Sequence, residues 1–296
     1  AGSGIRVVAL GGAIDLTIDG VNMAGGSIFL QASGIHTNTE MNSLFAPSTT
    51  IMLNRNSGGR QTVLLRDSTV AALDTRTVDY SASATVENVH FTWAGVLTDH
   101  GEGSLTVSIA DSTFDEGGVS AICRPDFDDE SETTIRIARS VFHGDGVTMS
   151  TYMFDFSGQL NGVFATLDID SSLFLGKGVS ATVEHTTGDG SIGSTFDLTL
   201  TNNIFDSLLT GVSLDYRRSG PVLSTARADL HAAIVNNTFY GCGTGVRAHT
   251  SPVQLGHDDV STLIQNNVIA SGATGIEIIL VPGAKAVHEA CPPCIV

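Results

Sequence analysis

The chain has 296 residues, a formal net charge of −17, 33 glycines, and charged side chains at only 15% of positions. With two lysines in all, Lys177 and Lys285, such a surface excludes nucleic acid as a partner, since that binding relies on Lys and Arg to neutralise phosphates. It also disfavours polyuronate sugars unless cations bridge the two, and the apolar run near Ile276 to Val281 is far too short for membrane insertion.

In chain order, Gly4-Ile5-Arg6-Val7 reads as a strand already under way. A phrase then recurs: two small polar residues, a variable residue, a large apolar anchor, then glycine and a β-branched residue. Weak copies are anchored at Met23, Phe45, Val70, Phe91, Phe114, Phe142 and Phe174. The clearest are Asn202-Asn203-Ile204-Phe205, Asn236-Asn237-Thr238-Phe239 and Asn266-Asn267-Val268-Ile269, leading to Gly211-Val212, Gly245-Val246 and Gly275-Ile276. Successive anchors are 21 to 34 residues apart. Before the polar pair, segments such as Leu105-Thr106-Val107-Ser108-Ile109 and Leu198-Thr199-Leu200 alternate apolar and polar, as half-buried strands do. Three short strands per unit are too few for a propeller blade and too strand-rich for helical repeats. The expectation is all-β: a solenoid whose stacked phenylalanines form an internal column. Asn202, Asn236 and Asn266, or their partners Asn203, Asn237 and Asn267, should form a ladder of buried amides.

The phrase Asn-Asn-Thr-Phe-Tyr-Gly-Cys-Gly-Thr-Gly-Val, at 236–246, resembles the repeat of the right-handed parallel β-helix, pectin-lyase-like superfamily, over nearly the whole chain. The resemblance implies a single-stranded right-handed parallel β-helix of about ten coils, with three short strands per coil. Residues 1–296 should form one β-helix domain, with short regular coils in 1–114 and longer loops on one flank in 115–296. The next anchor would fall beyond Val296, so the chain reads as a segment of a longer protein, or one whose open ends meet further coils or subunits. The superfamily holds lyases, glycoside hydrolases, tailspikes and adhesins; none of its catalytic signatures matches here residue by residue. Two functions follow as expectations. One is an extracellular or cell-surface rod, bacterial in origin, acting as adhesin or assembly subunit. The other is a secreted carbohydrate-active enzyme. In either case the partner is a polysaccharide or cell-surface glycan.

Candidate chemistry lies on the Gly-Val strand. With Val212, Leu214, Val246, Ala248, Ile276 and Ile278 inward, alternation turns Ser213, Asp215, Arg247, His249, Glu277 and Ile279 outward. Asp215 and His249 then serve as acid or base and its partner, with Arg247 and Glu277 beside them; Tyr216, Arg217 and Arg218 are candidate substrate contacts over the same patch. The competing reading is two surface ion pairs between stacked strands. Asp126, Asp128, Asp129 and Glu130 form a loop of oxygen donors suited to calcium, the one cofactor considered, though the EF-hand spacing is missing. Cys291-Pro-Pro-Cys294 reads as a structural disulfide or free thiols, since one such pair supplies only half a zinc site.

Overall fold

The computed structural model describes residues 4–10, 13–33, 36–55, 59–77, 81–101, 103–124, 130–154, 162–186, 194–219, 228–250, 259–270 and 272–279. These residues form a parallel β-helix solenoid in which all strands belong to one sheet and every pairing is parallel. A representative coil runs through a first strand, Gly103–Ala110, a short strand, Thr113–Phe114, and a Gly-Val strand, Gly118–Cys123. Each pairs with its counterpart one coil on: Ser131–Ala138, Val141–Phe142 and Val147–Phe154. The strands Arg60–Thr77 and Ser81–His100 each carry most of a coil without a break.

Alternation decides what is buried. From the first strands, Ile18, Met41, Leu65, Val86, Ile109, Ile137, Ile169, Leu200, Ile234 and Ile264 stack in one internal row. From the short strands come Phe91, Phe114, Phe142, Phe174, Phe205 and Phe239, each 0% exposed. Their neighbouring ring centroids are 4.6–4.8 Å apart and their planes 3–10° from parallel. That spacing is the rise of about 4.8 Å between paired strands, so the rings stack in parallel at the repeat of the backbone. Phe45 is not in this column. It is 56% exposed and pairs with Thr69, while Ala46, 1% exposed, pairs with Val70 and takes the internal place. The anchor in that coil is one residue later than the sequence suggested, and a one-residue slip exchanges inside for outside.

The amide ladder belongs to the second asparagine of each pair. Asn237 Oδ1 accepts from Asn203 N at 2.9 Å and Nδ2 at 3.0 Å; Asn267 Oδ1 accepts from Asn237 N at 2.7 Å and Nδ2 at 3.1 Å. The amide nitrogens also donate back to the preceding coil: Asn203 Nδ2 to Ile169 O, Asn237 Nδ2 to Leu200 O and Asn267 Nδ2 to Ile234 O. Serines continue the ladder upstream: Ser172 N donates to Asn203 Oδ1, Ser140 N to Ser172 Oγ, and Ser112 N to Ser140 Oγ. Val89 N donates to Ser112 Oγ, but valine offers no side-chain acceptor and so interrupts the series. The first residue of each pair makes the turn instead. Asp111, Arg139, Ser171, Asn202, Asn236 and Asn266 all have φ between 49° and 57°, the left-handed conformation that asparagine tolerates best.

A third column consists of glycines at the opening of the Gly-Val strands. A Cβ on Gly118, Gly146 or Gly178 would lie 1.8–1.9 Å from the carbonyl oxygen of the equivalent glycine one coil on. Backbones approach there too closely for any side chain. The longer loops expected on one flank after residue 115 fall between a Gly-Val strand and the next first strand, and the Gly-Val strands Val147–Phe154, Val179–Thr186 and Thr210–Ser219 run far toward them. What remains of each loop, and Cys291 and Cys294, lie outside the described residues.

Asn237→Ala should cost about 2–4 kcal/mol, because it strands the buried N–H of Asn203 and removes two rungs. Asn236→Gly, which keeps the turn conformation, should stay within about 0.5 kcal/mol of wild type. Urea unfolding of the two variants measures the difference; equal losses would refute the assignment of rung and turn.

Candidate functional site

The Gly-Val face carries the charged rows in the expected register. Ser213, Arg247 and Glu277 pair in sequence, as do Thr182, Asp215, His249 and Ile279. Arg247 Nε donates to Glu277 Oε2 at 2.7 Å. His249 Nδ1 lies 3.3 Å from Asp215 Oδ1, and Arg217 Nε donates to Asp215 Oδ2 at 2.7 Å while its NH2 group reaches the same oxygen. Asp215 is therefore held on both sides, with its side chain 20% exposed between His249 at 43% and Arg217 at 57%. The bond to Asp215, then its charge, raises the pKa of Arg217 above the usual guanidinium value, with lesser contributions from Glu184 and Tyr152.

Tyr216 does not overhang this patch. It is 0% exposed, in an internal row with Val183 and Thr250. The alternation that turns Asp215 outward must turn its neighbour inward, and Val212, Leu214 and Tyr216 share one parity. The side chain of Arg218 lies outside the described residues. Two residues that the sequence reading passed over belong to the patch instead. Tyr152, Glu184 and Arg217 pair in one outward row beside Thr182 and Asp215. Alternation carried along these strands as it is along Asp215 places both of them outward.

Next to the patch, a groove of about 510 Å³ runs along the axis from Ala94 and Leu97 to Leu209 and Ser213. It spans five coils, roughly 19 Å at the ~4.8 Å strand spacing. Its floor is the glycine column, and Ser120, Thr148, Ser180 and Ser213 line one edge with hydroxyls. Lys177 Nζ and Asp145 Oδ1, 2.6 Å apart, form an ion pair among the lining residues. The groove exists because glycine turns leave nothing to fill it, and its carboxylate is already paired.

A second groove, of about 380 Å³, lies over the first strands and includes Arg136, Arg139, Asp168 and Asp170. Arg139 grips Asp111 through two 2.7 Å bonds, which holds the Asp111 carboxyl below its ordinary pKa. Asp170 is lowered too, first by Asn202 Nδ2 at 2.9 Å and then by Ser171 Oγ at 2.8 Å. These carboxylates are held as anions by neighbours, which suits a structural pair better than a proton donor.

Of the calcium candidates, Asp126, Asp128 and Asp129 lie outside the described residues, while Glu130 is described and exposed. Among the described residues no group of three or more His, Cys, Asp or Glu side chains is arranged to hold a metal. A buried polar cluster lies at the corner between the Gly-Val and first strands. Cys123 Sγ accepts from Thr133 Oγ1 at 3.3 Å and lies 3.2 Å from Ser131 Oγ, with His100 one coil before it in the same row. Burial raises the pKa of the Cys123 thiol and so keeps it protonated and unreactive. Burial likewise lowers the pKa of His100, against weaker opposing effects from Gly103 O, 3.1 Å away, and Asp99.

Compared with known proteins, the chain matches no family model, no curated sequence and no solved structure.

His100 yields a pH prediction. Its folded pKa lies below the unfolded value of about 6.5, so the unfolded chain binds the proton more readily. The stability this contributes is complete above that value and is lost as pH falls below it. Urea midpoints measured from pH 7 to pH 5 should decline more steeply for wild type than for His100→Gln; parallel declines would count against it.

Proposed function

We propose that the chain is part of an extracellular or cell-surface β-helix rod that works by binding or assembly rather than by catalysis. The observation that carries this reading is how the outward charges are used. Arg66 and Glu87, Asp99 and Arg124, Asp111 and Arg139, Asp145 and Lys177, and Arg247 and Glu277 are each paired between adjacent coils. Such pairs brace neighbouring strands at little net energy and leave their charges committed. The five-coil groove, with hydroxyls on a glycine floor, supports binding of an extended glycan without supplying an acid and base to cleave it. The superfamily resemblance belongs to this reading, and an outward, pectin-lyase-like or adhesin setting is its natural context.

The patch at the end of the groove favours a second reading. Asp215, His249 and Arg217 converge there, with Glu184 and Tyr152 in the adjoining row. Two carboxylates on neighbouring coils are the minimum equipment for glycoside hydrolysis.

A screen against neutral and acidic polysaccharides, with and without calcium, separates the two. The rod reading expects no new reducing ends and no unsaturated products, and glycan retention in affinity electrophoresis that Asp215→Asn leaves unchanged. Products that disappear in Asp215→Asn and His249→Gln would overturn it in favour of the enzyme.

A further inference from the structure

Leu97, Ser120, Thr148, Ser180 and Ser213 pair in one outward row along the edge of the glycine-floored groove. Four successive coils thus each present a hydroxyl, repeated at the ~4.8 Å strand spacing. Unlike Ser112 and Ser140 of the internal ladder, these four make no side-chain hydrogen bond to another described residue. At the end where Ala94 lines the groove, the neighbouring Trp93 is 63% exposed. It is the one tryptophan of the chain, and Gly117 on the next coil packs against its backbone: a Cβ there would lie 2.3 Å from Trp93 O. An indole left in water offers a flat apolar face for stacking and an N–H for a polar partner.

Charge and hydrogen bonding narrow the class of ligand. Lys177 and Asp145, the charged residues of the lining, offset each other at 2.6 Å, while the chain as a whole carries −17. An acidic sugar chain therefore gains no free cation here and meets a repelling field. A peptide strand finds no edge to join, because the Gly-Val strands beneath are already paired on both sides. Hydroxyls that donate and accept suit a partner that does the same at every unit. We propose, building on the binding reading above, that the groove takes a neutral, extended, β-1,4-linked glycan along the rod axis, with an end sugar stacked on Trp93. In such a chain the sugars repeat at about the strand spacing of ~4.8 Å, so each coil offers an equivalent hydroxyl to successive sugars. An α-1,4-linked glucan coils and loses that register.

The test titrates the purified chain with cellohexaose, maltohexaose and hexagalacturonic acid, read by Trp93 emission and by calorimetry. Cellohexaose should bind and shift the emission, and the other two should bind more weakly by about tenfold or more. Two variants are then titrated by calorimetry: Trp93→Ala, and Ser120→Ala with Thr148→Val and Ser180→Ala. Each should weaken cellohexaose binding by about tenfold or more, the first through lost stacking and the second through three lost hydrogen bonds. None of these side chains is buried, and circular dichroism checks the fold. Equal binding of either control, or cellohexaose binding that neither variant weakens, would overturn the groove assignment and leave the rod reading standing. Failure of all three to bind would overturn it too, while retention of other glycans in affinity electrophoresis would still uphold the rod. New reducing ends from cellohexaose, with binding that depends on Trp93, would uphold the groove and overturn the rod.

Discussion

The parallel hydrogen-bond ladder between successive coils is the constraint on which the rest of this molecule depends. It fixes a spacing of about 4.8 Å between equivalent backbone positions, and every other feature is a way of living with that distance. Phenylalanine rings stack in parallel at that repeat, with neighbouring centroids such as those of Phe114 and Phe142 4.6 Å apart. Asparagine amides bridge the gap because one side chain can donate and accept at once. Glycines line one corner because the backbones there leave no room for a Cβ. The three columns meet the same requirement through packing, through hydrogen bonding and through the absence of a side chain.

The same spacing explains the surface. Residues of opposite charge in register on neighbouring coils stand within reach of each other without further design, as Arg247 and Glu277 do. A strongly acidic chain with few basic residues places many of them beside a carboxylate in this way. Asp215 is the exception in degree, because Arg217 from its own strand and His249 from the next coil both reach it. That convergence is the strongest chemical feature of the Gly-Val face, and it lies where the glycine-floored groove ends.

Much of the fold was legible in the sequence because the repeat and the strand alternation are independent signals that agree. The register of Ser213, Arg247 and Glu277 followed from aligning glycines, and the inward and outward parity followed from alternation alone. The two signals part where size and parity disagree. Phe45 is the large apolar residue of its coil, but the smaller Ala46 holds the buried position. Tyr216, expected over the patch with Arg217 and Arg218, follows the inward parity of Leu214 instead. Tyr152 and Glu184 lie in the half of the chain where composition suggests longer loops, yet hydrogen bonding to neighbouring coils keeps them in strands. The grooves were not legible at all. They arise from side chains that are small or missing, and concavity depends on the neighbours in three dimensions.

Coil length varies from about 21 to 34 residues, yet the ladder adds the same rise for each coil. The extra residues fall at one corner, between the Gly-Val strand and the next first strand. Chain length and rod length are thereby uncoupled: residues added at that corner do not lengthen the stack of coils. The other two corners act as a ruler that insertions do not disturb. A lineage could exchange the content of one flank freely while every column inside kept its register.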